Sequence, residues 1–153
     1  MIRDALFGGT KGNRVNTDIG LLLIRIMAGL ALCLIFEKVL PRDGVWGPQD
    51  WFVEDVAEMG FPLPRFFAWC AALSEFVGGG LLVIGLLSRP AAFFNAITTF
   101  VAAFVFHGVD NLPSKGLLAL VFFAITLALT FSGPGRFSID HLLSQKSTGQ
   151  SDQ

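Results

Sequence analysis

Residues 65–87 read Arg-Phe-Phe-Ala-Trp-Cys-Ala-Ala-Leu-Ser-Glu-Phe-Val-Gly-Gly-Gly-Leu-Leu-Val-Ile-Gly-Leu-Leu. Pro62 and Pro64 open the run, and Ser88, Arg89 and Pro90 close it. Crossing the hydrocarbon of a bilayer takes roughly 20 apolar residues. This stretch has that length, with Glu75 as its single interior charge, and it reads as a transmembrane helix. Three further runs follow the same logic. One spans Ile19 to Leu40, stopped by Pro41 and carrying Arg25. The others span Ala91 to Phe106 and Gly116 to Phe131, the last closed by Gly133, Pro134 and Gly135.

Composition agrees. The chain is 53% hydrophobic and 15% charged, with mean hydropathy +0.64. Sixteen Phe and no Tyr suit a lipid-facing surface. The net charge of −1 gives no basic footprint for nucleic acid. The expected fold is an all-α integral membrane four-helix bundle of one domain. Residues 1–18 form an N-terminal segment, 19–141 the membrane domain and 142–153 a polar tail, disordered beyond Ser144. Polar residues precede the first apolar run and no small-x-small site ends it, so that run is expected to be a retained helix. Leu32, just before Cys33, is too large for lipoprotein processing.

The connections are unequal. The short turn at Ser88–Pro90 makes helices two and three antiparallel neighbours. The long link from Pro41 to Pro64 carries Trp46 and Trp51 among acidic residues. At helical spacing Phe52, Val56 and Met59 share one face, with Glu54 and Glu58 opposite. The expectation is a short amphipathic helix at the membrane interface between helices one and two. Arg3, Lys11, Arg14, Arg89, Arg136 and Lys146 flank one side, against Lys38, Arg42, Arg65 and Lys115 on the other. That bias places both termini in the cytoplasm.

Charges within a membrane face the bundle interior and find partners. Arg25 shares a face with Gly29, Leu32 and Phe36; the face around Glu75 carries Ala71, Gly78, Gly79 and Leu82. The expectation is a buried Arg25–Glu75 ion pair. Either it locks two helices together, or Glu75 is a proton or ligand site with Arg25 as counter-charge. A second polar group, Glu37, Lys38, His107 and Asp110, falls at the outer face. There a Glu–His pair could take a headgroup, a quinone carbonyl or a metal, or simply sit among headgroups. Asn95, Thr98 and Thr99, with Thr126 and Thr130, are expected to hydrogen-bond between helices. Cys33 and Cys70 face away from the supposed pair and form no Cys-x-x-Cys, so no disulfide is expected. No zinc spacing, phosphate loop or nucleophile elbow is present, and no metal site is assigned.

Three stretches carry a family likeness. They are Gly20-Leu-Leu-Leu-Ile-Arg25 with Glu37-Lys38; Ser74-Glu75-Phe-Val-Gly-Gly-Gly with Gly85-Leu-Leu-Ser-Arg89-Pro90-Ala-Ala; and Gly133-Pro-Gly-Arg-Phe-Ser-Ile-Asp140. In their order and spacing the sequence resembles the DoxX family of small bacterial membrane proteins, over residues 19–141. It departs at Leu34-Ile-Phe-Glu37, where many members have His and Gly before the Lys. The resemblance implies a four-helix bundle in the bacterial inner membrane. Some such proteins are linked to quinone-coupled oxidation of sulfur compounds, including a thiosulfate:quinone oxidoreductase subunit. The first expectation is therefore an accessory subunit of a quinone-linked redox system, partnered by other subunits. The alternatives are a quinone-dependent oxidoreductase acting on sulfur compounds through Glu75, Arg25 and His107, and a small proton-coupled transporter working as a homo-oligomer.

Overall fold

A computed structural model describes residues 13–34, Lys38 and residues 47–148. Its elements are all helical: α1 (Asn13–Leu34), α2 (Asp50–Glu58), α3 (Pro64–Ile84), α4 (Ser88–Phe100), α5 (Leu117–Ser132) and α6 (Ile139–Thr148). α4 continues without a break as a π-helix, Val101–Phe106. Three spans are long and apolar enough to cross a membrane: Val15–Leu34, Pro64–Ile84 and Ser88–Phe106. α5 is equally apolar and shorter. The all-α membrane bundle expected from the hydropathy pattern is the architecture found, with α2 as the short helix between the first two spans.

The distribution of side chains is the reverse of a soluble protein's. Arg25, Glu75, Ser88, Asn95, Thr99, Thr126 and Ser138 are buried, while Leu23, Met27, Leu34, Phe66, Phe94 and Phe131 are exposed. Water would penalise such a surface, whereas lipid solvates it and forces polar groups inward. The central core is small: Leu32, Leu82, Ala91, Ala92 and Leu129.

Helix ends follow their residues. Pro64 sits in the first turn of α3, where its missing N–H costs nothing. Gly85 ends α3 in the left-handed region at φ 73°, and the amides of Gly85 and Leu86 donate to Leu81 O at 2.9 and 3.1 Å. This is the double-bonded helix stop that favours glycine. α1 starts at Asn13, earlier than the apolar run suggests, and the Asp18 carboxylate on its first turns accepts the Arg136 amide at 3.2 Å. α6 reaches Thr148, past the expected onset of disorder at Ser144. Ser138 starts it: its hydroxyl accepts the His141 amide at 3.2 Å, and its carbonyl that of Leu142 at 3.3 Å.

α1 and α4 both pack on α3, and α5 packs on α4. The α1–α3 crossing is fixed by glycine. A β-carbon on Gly29 would fall 2.5 Å from Gly79 O, and one on Gly79 would fall 2.8 Å from Gly29 O. Without side chains the two backbones touch directly. α2 lays Phe52 and Val56 on Ala68 and Ala72 of α3, with Met59 packed alongside, as its apolar face requires. Most of the Thr stripe is internal to each helix. Thr99, Thr126 and Thr130 donate to the carbonyls of Asn95, Phe122 and Thr126 in their own helices. A helical Thr reaches its own preceding turn without needing a neighbour. The cross-helix bond in this set is Ser74 Oγ to Thr98 Oγ1, 2.6 Å.

Gly29→Ala is expected to lower the unfolding free energy by about 1–3 kcal/mol through overpacking. Gly20→Ala, where nothing lies within 4 Å of the added carbon, leaves stability unchanged. Thermal denaturation of the two variants in detergent checks the difference.

Candidate functional site

The structure separates the two charges that the sequence pairs. Gly29 lies against Gly79 and Val83, and the Cys33 thiol donates to Phe76 O at 3.4 Å. In this antiparallel register Arg25 stands level with Val83 and Glu75 with Cys33. Eight residues of helix, ~12 Å of rise, lie between the two levels. Each charge takes a different partner at its own end of the bundle.

At the inner end, Arg25 is 2% exposed. Its guanidinium donates to Pro134 O, and to Phe137 O at 2.6 Å. Both carbonyls belong to the segment that follows α5. Gly85 lies against the same guanidinium: a β-carbon there would come within 2.9 Å of Arg25 Cζ. The Asp140 amide donates to Gly85 O at 3.0 Å. The Asp140 carboxylate accepts the amides of Leu87 at 2.8 Å and Ser88 at 2.9 Å. Leu87 occupies the left-handed region, φ 48°, and has no side-chain cap to offer α4. Asp140 supplies that cap from a distant part of the chain, with a charge that suits a helix N-terminus. Partial burial pushes the Asp140 carboxyl up, but the Ser88 and Leu87 amides and the nearby Arg25 charge more than offset this, so it titrates below its usual range. The inner end is a structural knot that joins α1, the α3–α4 turn and the segment before α6.

At the outer end, Glu75 Oε2 pairs with Lys38 Nζ at 2.9 Å, their side chains 8% and 20% exposed. Lys38 also lies 4.8 Å from the centre of the Phe52 ring, so α2 holds the cation from above. The pair forms part of the wall of a cavity of about 600 Å³. Ser74, Thr98 and His107 add polar groups to that wall, and Trp51, Phe52, Phe67 and Phe122 are among its aromatic members. The volume lies in the range of small-molecule sites, and a mostly apolar wall with a few placed polar groups is their usual make-up. Lys38 and His107, assigned by sequence to an outer-face cluster, thus join Glu75 at one site. Asp110 is exposed on a 3₁₀ turn and does not line the cavity. Glu37 lies outside the described residues, as does Trp46. Cys33 and Cys70 are free. Among the described residues no three His, Cys, Asp or Glu side chains converge as a metal site would require.

Residues 20–108 match the DoxX family model, more than half of the chain. The chain belongs to the DoxX family. The Escherichia coli inner membrane protein YqjF is 36% identical over 134 residues, covering 84% of this chain and 95% of that protein. An uncharacterized membrane protein of Mycobacterium tuberculosis is 34% identical over 104 residues, 59% of this chain and 63% of its own. An uncharacterized Haemophilus influenzae protein is 35% identical over 82 residues, 50% and 61% of the two chains. No solved structure matches. Like YqjF, this DoxX protein is a multi-pass protein of the inner membrane. The DoxX match spans Arg25, Lys38 and Glu75 and stops before the 133–140 segment that Arg25 holds.

Asp140→Asn is expected to lower stability by about 1 kcal/mol near neutral pH, the scale of a lost helix cap. The lowered carboxyl pKa sets the sign of the pH effect. Its contribution is complete above the unfolded value of about 3.9 and is lost as pH falls through the folded value. The melting-temperature gap between wild type and Asp140→Asn should therefore close on acidification. Glu75→Gln and Lys38→Met each strand one charge in a largely buried wall, at a cost of about 3 kcal/mol. The double variant should be more stable than either single one, which a double-mutant cycle of melting curves measures.

Proposed function

We propose that this DoxX protein is a ligand-binding subunit of a quinone-linked redox system, and that the outer cavity holds a quinone-class ring. The observation that carries the reading is an ion pair, Lys38–Glu75, set in the wall of a largely apolar cavity of about 600 Å³. The donor set fits such a ring. A quinone carries two carbonyl acceptors on an apolar disc, and its quinol form carries hydroxyl donors in their place. Lys38 Nζ donates to a carbonyl, and the Glu75 carboxylate accepts from a hydroxyl. The neighbouring hydroxyls of Ser74 and Thr98 can do either, and Trp51, Phe52 and Phe122 supply apolar faces.

The bound quinone supplies two-electron, two-proton redox chemistry. The chain's own part is to bind and orient the ring at the Lys38–Glu75 pair. Electrons come from a partner subunit, which the family likeness points to as one acting on sulfur compounds. The packing supports a binding role over transport. Leu32, Leu82 and Leu129 fill the bundle between the Glu75 level and the Arg25 knot, so the cavity has an apolar floor.

The test is native mass spectrometry of the protein gently extracted from its own membrane, with lipid extraction alongside. A stoichiometric quinone or a copurifying subunit is expected. Added quinone should quench tryptophan fluorescence, since Trp51 lines the cavity. Lys38→Met should weaken that quenching about tenfold, the scale of one charge-assisted hydrogen bond. A bare chain without quinone, partner or quenching would sink the proposal.

A further inference from the structure

We infer that the outer cavity is entered sideways from the bilayer, through the gap between α3 and the π-helical end of α4, by a membrane-dissolved amphiphile. Its polar head reaches the Lys38–Glu75 pair, and its apolar tail leaves between Cys70 and Ala102, past Phe106. This rests on the cavity being the quinone site and adds how the ligand arrives and which part of it stays in lipid.

Three observations meet here. The first is the lining itself. Cys70 of α3 and Phe106 at the π-helical end of α4 belong to the cavity wall, yet both are exposed, Phe106 by 44%, on the surface of membrane-spanning helices. Both side chains border the cavity on one side and, on the other, a surface that meets lipid.

The second is the way the two helices part. Ser74 and Thr98 are bonded at 2.6 Å and hold α3 to α4 at that level. From Val101 outward α4 turns into a π-helix, which packs on α5 and makes little contact with α3. The wider π turn, closed by the His107 amide on Ala102 O at 3.2 Å, begins just beyond the Ser74–Thr98 bond. Counting four residues outward from Ser74 and from Thr98, Cys70 and Ala102 stand on either side of the gap.

The third is the polarity gradient. The ion pair lies within, 8% exposed at Glu75, and the rim at Cys70, Val101 and Phe106 is apolar, whereas Asp55, His107 and Lys115 line the cavity elsewhere. An amphiphile dissolved in the leaflet meets apolar walls along its tail and charge only at its head.

The gap can be closed reversibly. Cys33→Ala combined with Ala102→Cys leaves native Cys70 facing a second thiol. A short bis-methanethiosulfonate reagent then bridges the two helices, and dithiothreitol releases them. The readout is tryptophan quenching in proteoliposomes with two probes: a benzoquinone bearing a long isoprenoid tail, and the same ring without a tail, added from water. Bridging is expected to slow binding of the tailed quinone at least tenfold and to leave the tail-less one within twofold. Reduction should restore the tailed quinone. Equal loss of both probes on bridging, or loss of neither, overturns the sideways entry while leaving the quinone site intact. Failure of both probes to bind the reduced, unbridged variant and the wild type overturns the quinone site and the entry route together. Because the reduced variant is its own control, misfolding cannot imitate the expected result.

Discussion

A guanidinium inside a bilayer has no water to turn to, and two backbone carbonyls take on part of that role for Arg25, whose buried Nε has no partner among the described residues. Insertion of such a charge costs roughly 2.5–3.5 kcal/mol at the bilayer centre. Here the backbone carbonyls of Pro134 and Phe137 accept its protons. Those carbonyls are free because Pro134 and Gly135 prevent α5 from continuing. The demand of one side chain thus draws the segment after α5 across the inner end of α1. Once there, Asp140 caps α4, and Ser138 starts α6. Gly85 is needed twice at this point, for the left-handed stop of α3 and for the space beside Arg25. The family-like stretches around Arg25, Gly85–Pro90 and Gly133–Asp140, far apart in sequence, are one tertiary unit.

The outer end solves the same problem by other means. Glu75 is satisfied by an opposite charge from the end of the first membrane segment, and the pair is steadied by the Phe52 ring. This solution leaves room. Backbone carbonyls packed around Arg25 close the inner end, whereas a side-chain pair beside Ser74 and Thr98 borders a cavity. The inner charge is enclosed by backbone and the outer charge borders a cavity, a division that a sequence showing two intramembrane charges does not reveal.

How much was legible follows from the range of each signal. The hydropathy runs depend on composition over 20 residues, and they found all four long helices. The period of Phe52, Val56 and Met59 is local, and it found α2. Arg25 and Glu75 were recognisable as interior groups because lipid tolerates them nowhere else. Their pairing was misread because it depends on the register of α1 against α3, which the Gly29–Gly79 contact sets. A glycine in a helix does not announce which glycine it meets. The carbonyl partners of Arg25 were invisible for a related reason: backbone acceptors carry no residue signature. Ser138 three residues before His141 was a readable start signal for α6, hidden by the polarity of the tail. Lys38 and His107 were grouped by their positions at helix ends, but their joining to Glu75 required knowing how far α3 rises beneath α2.

The cavity itself has an architectural cause. α5 has 16 residues, ~24 Å of helix, against a hydrocarbon thickness of about 30 Å. A helix this short cannot fill the bundle over its whole height. At the inner end the 133–140 segment and α6 make up the deficit, sealing against Arg25 and the α3–α4 turn. At the outer end the segment before α5 instead contributes His107 and Lys115 to the cavity wall. Leu118 and Phe122 of its first turns become cavity wall, and the π-helical end of α4 leans on them instead of on α3. α2 is then the cover for a space that the four long helices leave open. Its acidic face keeps the upper side in water, while Phe52 and Val56 hold the lower side on α3. Had α5 matched α3 in length, the Lys38–Glu75 pair would be packed from every side and would serve only as a lock. The mismatch in helix length leaves the Lys38–Glu75 pair on the border of a cavity.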